Sequence, residues 1–138
     1  MLTKEQIDVT LWQRLKELAD NGTIPIAGGV YNGDRDLTRV AEDITVKTTS
    51  LAGSDCPKRA ETHIKVFAND FTVSGNGTTS ACERLSQLSQ PIEEFIESID
   101  YIFTPYEVLD FTQRMKEEPS LRQHYNEFLI RMNIYDID

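Results

Sequence analysis

The sequence predicts an α+β fold: an N-terminal helix, an antiparallel β-sheet within about residues 23–75, then a C-terminal set of three to four helices. Two observations predict it. Apolar residues alternate with period two in the middle of the chain and recur at helical spacing on either side, the change falling near Gly75. The chain has 138 residues, 39% of them apolar and 27% charged. That suits one globular domain, 1–138, with its own core, and excludes a collagen, a transmembrane bundle and a fully disordered chain.

The first helix starts at Thr3. Thr3 and Gln6 have capping-box spacing, so each side chain can satisfy a backbone N–H at the helix start. Ile7, Leu11, Leu15 and Leu18 then fall on one face with Trp12 beside them, and Asn21-Gly22 ends the run.

In the β region Pro25 disfavours a helical Ile24, and Asn32-Gly33 after Val30-Tyr31 is a turn signal. Ile44–Thr49 alternates and is rich in β-branched residues, whereas 50–57 reads as a loop. Thr62–Phe67 is the clearest strand. Its period of two sets Ile64 and Val66 on one face and His63 and Lys65 on the other. Asn69-Asp70 offers a reversal that would pair this strand with Phe71-Thr72-Val73.

Past Gly75 the reading is helical. Ser80 and Glu83 again have capping-box spacing, with Leu85 and Leu88 inward. Pro91 reads as the first residue of a further helix carrying Ile92, Phe95, Ile96, Ile99 and Ile102. Thr104-Pro105-Tyr106-Glu107 reads as a third start, followed by Val108, Phe111 and Met115. Pro119 reads as the start of a last helix with Leu121, Tyr125, Phe128, Leu129 and Met132 inward.

Charge narrows the function classes. The formal net charge is -9; residues 1–75 hold 9 basic and 11 acidic groups, and residues 76–138 hold 5 and 12. Such a field repels phosphate backbones, so no direct nucleic-acid binding is expected, while a basic protein partner would suit it. Strands, a glycine loop and a helix in that order also occur in double-stranded-RNA-binding domains. Thr79-Ser80-Ala81 stands where that family has basic residues, and the net charge is of the wrong sign, so that assignment is rejected. No apolar run approaches the roughly 18 residues of a membrane span, and Met1–Gln6 is polar, so a cytoplasmic protein without a membrane partner is expected. Cys56, Cys82, His63 and His124 lack metal-ligand spacing, and no G-x-S-x-G elbow is present. No cofactor, metal or catalytic residue is predicted, and an enzyme is the least favoured class.

Two local features carry a binding chemistry. The first is Gly75–Ser80, between a predicted strand and a predicted helix. Thr78, Thr79 and Ser80 could offer hydroxyls to an anion at the helix N-terminus, or simply turn the chain and cap the helix. The second is a cationic stretch from Arg35 to Lys65, in which Lys47 and Lys65 can share a polar sheet face with His63. The expected site therefore combines Arg59, His63, Lys65, Thr78, Thr79, Ser80 and Arg84 at the sheet/helix junction. It would capture a small anionic or nucleotide-like ligand, in the manner of a sequestering or regulatory protein such as a phage-encoded sponge of an immune nucleotide signal. The alternative is an acidic interaction module that inhibits a basic or nucleic-acid-binding partner, as phage anti-defence proteins do. Eight aromatic residues between Phe95 and Tyr135 exceed what one inward stripe of short helices needs, so a homo-oligomer is expected.

Overall fold

The computed structural model describes residues 3–36, 38–53, 56–70 and 82–135 in full, and the backbone of 71–73 and 77–79. The elements run α1 (Lys4–Asp20), β1 (Val30–Asn32), β2 (Ile44–Ala52), β3 (Lys58–Asn69), β4 (Phe71–Val73), β5 (Gly77–Thr79), α2 (Cys82–Ile102), β6 (Tyr106–Glu118), a 3₁₀ turn (Pro119–Leu121) and β7 (Gln123–Ile134). Five strands form one mixed sheet in the order β1-β2-β3-β7-β6. Among the described residues only the β1–β2 pair is parallel.

The capping box at the start of α1 is formed. The Gln6 N–H donates to Thr3 Oγ1 at 3.2 Å and the Thr3 N–H to Gln6 Oε1 at 2.8 Å. Ile7, Leu11, Leu15 and Leu18 are buried against the sheet. The Trp12 indole N–H donates to the Val30 carbonyl at 2.9 Å, fixing α1 on β1. Gly22, at φ 84°, then turns the chain where a side chain would be strained.

Alternation sorts each strand onto two faces. Ile44 and Val46 of β2, Ile64 and Val66 of β3, and Phe128, Ile130, Met132 and Ile134 of β7 all have no exposed surface. Both helices cover this face, α2 through Leu85, Leu88, Ile92, Phe95, Ile96 and Ile99. The intervening residues, among them Lys47, His63, Lys65, Glu127 and Arg131, line the opposite face. No helix among the described residues is long and apolar enough to cross a membrane.

The structure corrects the predicted fold in four respects. Residues 106–134 are not helices but a long antiparallel hairpin, β6 and β7, turned by the 3₁₀ segment at Pro119 and by Arg122 at φ 53°. Pro91 does not start a helix; it lies inside α2, which is continuous from Cys82 to Ile102. A proline there removes one helical N–H donor, but Leu88 and Ile92 on either side are fully buried, and that packing carries the helix through. The sheet is mixed and extends well beyond residue 75. Finally, Asn69-Asp70 does not fold β4 back onto β3: β3 pairs with β2 and β7, and β4 pairs with β5.

The aromatic residues that suggested an assembly are placed differently as well. Phe95, Tyr106 and Phe128 are buried, and Phe103 and Phe111 pack against the core from its margin. Tyr101, near the end of α2, is 90% exposed.

Candidate functional site

The face of the sheet that no helix among the described residues covers carries the candidate site. Its frame is an ionic knot where Arg35, Arg39, Ala41 and Asp43 meet the ends of β3 and β7. Asp43 is fully buried. Its carboxylate accepts from Arg35 at 2.9 Å, from Arg39 at 2.9 and 3.1 Å, and from the Gly29 N–H at 2.9 Å. Burial pushes the Asp43 carboxyl up, but the bonds from Arg39, Gly29 and Arg35 outweigh it and hold the group below the ordinary aspartate range.

Arg35 is itself buried. Its guanidinium stacks on the Phe67 ring at 3.5 Å and donates to Gln123 Oε1 at 2.5 Å. Gln123 in turn donates to Asn69 and to the Ala41 carbonyl. This network ties Arg35, Ala41 and Asp43 to the sheet beside a groove.

The groove has a volume of about 570 Å³ and is lined by Asp34, Arg35, Thr45, Lys65, Phe67, Glu118, Ser120 and Leu121. A second recess of about 210 Å³ shares Asp34, Thr45 and Lys65 with it and adds Lys47, Thr49, His63 and Glu127. The charges are paired but not evenly. Lys47 meets Asp34 at 3.0 Å. Glu127 takes Lys116 at 2.7 Å, with His63 at 3.4 Å and Lys65 at 3.8 Å. Burial raises the Glu127 carboxyl, but the hydrogen bond from Lys116 and the charges of Lys116, Lys65 and His63 outweigh it and hold the group below its ordinary range. Of the cations lining the groove and recess Lys65 is therefore the most loosely paired, its ammonium 5.4 Å from the centre of the Tyr125 ring and its side chain 35% exposed. Fixed guanidinium, loose ammonium and the Thr45 hydroxyl together can hold an anion, while Asp34 and Glu118 can accept from donors on the same ligand.

The predicted site residues are not all brought together. His63 and Lys65 lie on the groove face beside Lys47, as neighbours across β2 and β3. Arg59 is on the same face but six residues along β3, roughly 20 Å from Lys65 at the rise of a strand, and it donates to Asn133. Arg84 belongs to α2, on the helix side. There it donates to Glu42 at 2.5 and 2.9 Å and to the Pro25 carbonyl at 2.7 Å. That bond holds the Glu42 carboxyl below its usual range. Thr78 and Thr79 are in β5 rather than at a helix start, and α2 begins at Cys82. Ser80 lies outside the described residues.

Sequence reading missed Asp34, Thr45, Phe67, Glu118 and Glu127 as groove residues, and it named Arg35 only as part of a basic stretch. Alternation through Ile44–Lys47 and Thr62–Phe67 could have found Thr45 and Phe67, because they share a parity with Lys47 and Lys65. Among the described residues no group of three or more His, Cys, Asp or Glu side chains is placed to hold a metal ion. Neither a protein-family model nor a curated protein sequence matches the chain, so a functional reading rests on this geometry.

Proposed function

We propose that the chain is a non-enzymatic binding module that takes a small anionic, nucleotide-like ligand in the groove on the uncovered sheet face. The observation that carries this reading is the groove itself. Its volume of about 570 Å³ falls in the range of small-ligand pockets, and a buried arginine fixed by four partners forms part of its wall. The mixed lining favours a ligand of mixed character. Lys65, Arg35 and Lys47 suit a phosphate, and Asp34 and Glu118 suit hydroxyl or amino donors on the attached group. A preorganised arginine costs little further ordering when the ligand arrives. Two hydroxyls beside the groove do have a basic neighbour, Ser120 donating to Glu118 at 3.0 Å and Thr49 lying 3.1 Å from His63 Nε2, and we read these contacts as ordering the wall of a sequestering or regulatory site.

Calorimetric titration with adenosine and guanosine monophosphates, and with inorganic phosphate alone, tests this. At least one nucleotide should bind, and Lys65→Ala should weaken it about tenfold, which is roughly 1.4 kcal/mol. Arg84→Ala discriminates between the groove and the start of α2. If only Arg84→Ala weakens binding, the ligand sits at the helix end and the groove reading fails. If none of the probes binds, the binding reading itself fails.

A second reading rests on the outer side of α2, where Glu94, Glu97 and Asp100 are exposed beside Tyr101. An acidic stripe with an accessible aromatic ring suits a basic protein surface. Loss of a captured basic partner on Tyr101→Ala, with Lys65→Ala unaffected, would favour it.

A further inference from the structure

The two edges of the sheet differ in how they are protected. At one edge β1 has three residues, and Trp12 of α1 takes the Val30 carbonyl. At the other, β6 has thirteen residues and, among the described residues, pairs only with β7. Beyond the bulge at Leu109 it runs in regular register from Asp110 to Glu118. The outward N–H and C=O groups of an edge strand form a template for another strand. We propose that β6 pairs antiparallel with β6 of a second copy about a two-fold axis at Gln113, joining the two sheets into one of ten strands.

The charge order of β6 selects this partner and register. The regular segment begins with an acid, Asp110, and carries its bases, Arg114 and Lys116, further on. A parallel copy would set each charge beside its twin. Antiparallel pairing about Gln113 sets Asp110 opposite Lys116, Thr112 opposite Arg114, and Phe111 opposite Met115. Met115 is 48% exposed and Phe111 only partly buried, so this contact covers apolar surface twice in each dimer. A two-fold axis perpendicular to the sheet keeps both uncovered faces on one side, so paired residues must share parity. Moving the axis to Thr112 brings Glu107 toward Glu117. Moving it to Arg114 opposes that arginine to itself and Asp110 to Glu118. The register at Gln113 has no like-charge pair, which matters in a chain whose net charge of -9 opposes self-association.

A cysteine scan reads the register directly. In a Cys56→Ser/Cys82→Ser background, Gln113→Cys places two thiols opposite each other across the axis. Paired Cα atoms there are roughly 4.5–5.5 Å apart, within the span of a disulfide. Mild oxidation should convert the Gln113→Cys protein to a covalent dimer. Glu117→Cys, whose copies would lie eight residues out of register, should remain monomeric on a non-reducing gel. The unsubstituted chain should scatter light as a dimer at tens of micromolar. A monomeric mass, or equal cross-linking from positions 113 and 117, would overturn the proposal.

Discussion

The covered and uncovered faces of the sheet are made from alternate residues of the same strands, yet different forces hold them. On the covered face β7 contributes Phe128, Ile130, Met132 and Ile134, each without exposed surface and each packed under α2 or its neighbours. On the uncovered face the same strand contributes Tyr125, Glu127, Leu129 and Arg131, whose charged members are tied to Lys116 and Asp110. The difference teaches where tolerance lies. Packing resists any change of volume, whereas solvated ion pairs are worth little and can be rearranged around a ligand.

The largest expected effect breaks the covered face. Phe128→Ala should cost about 3–5 kcal/mol by urea denaturation, because it leaves a cavity beneath α2 that rigid neighbours cannot fill. Leu129→Ala, one residue on and facing the other way, should cost about 1 kcal/mol or less. Equal losses at the two positions would show that the uncovered face is packed by something else.

That contrast also explains what was legible in the sequence. In His63–Val66 polar and apolar residues alternate, so the two faces of β3 can be read directly. In β7 the polar Asn126 is buried and donates to Ser89, while the apolar Leu129 lies on the groove side. Both exceptions blur period two, and Tyr125, Phe128, Leu129 and Met132 then fit a helix equally well. In β6 the bulge at Leu109 sets the inward Val108 and Phe111 three positions apart, a helical interval created by an irregular strand. The groove suffered from the same misreading. Lys47, His63 and Lys65 could be placed on one face by alternation. Arg35 meets Gln123 across 88 residues of chain, and Glu118, Ser120 and Leu121 come from a turn that resembles a helix start. No local pattern reports such contacts.

A smaller effect sharpens the comparison through the buried carboxylate that frames the groove. Asp43→Asn keeps the shape but leaves Arg35 and Arg39 without their anion. Arg39 reaches solvent and is screened there, so the loss should be about 2 kcal/mol rather than the larger cost of a wholly buried pair. The sign with pH follows from the depressed Asp43 carboxyl. Its contribution is present above the unfolded-state value and is lost as pH falls through the folded-state value. The parent should therefore lose stability on acidification more steeply than Asp43→Asn. Parallel acid profiles would mean that the carboxylate does not hold the knot.

Asp8 is the opposite case and gives the smallest effect. It is buried on the helix side, where its carboxylate accepts the Thr48 N–H at 2.6 Å. Among the described residues no arginine or lysine lies within ion-pairing distance of it. Burial therefore dominates and raises its carboxyl above the ordinary value despite the bonds from Thr48. A raised value means that the protonated form favours folding: this contribution is fully present below the unfolded-state value and is lost as pH rises through the folded-state one. The charged carboxylate thus weakens the fold at neutral pH. Asp8→Asn keeps an oxygen for the Thr48 N–H and removes the buried charge. It should leave stability unchanged or raise it by up to about 1 kcal/mol at pH 7. Near pH 3, where the parent aspartate is protonated in both states, the two proteins should converge. Denaturation at both pH values measures the pair of differences. A clear loss at pH 7 would mean that the charge itself anchors α1 to β2, and the two buried carboxylates would then stabilise the fold in the same way.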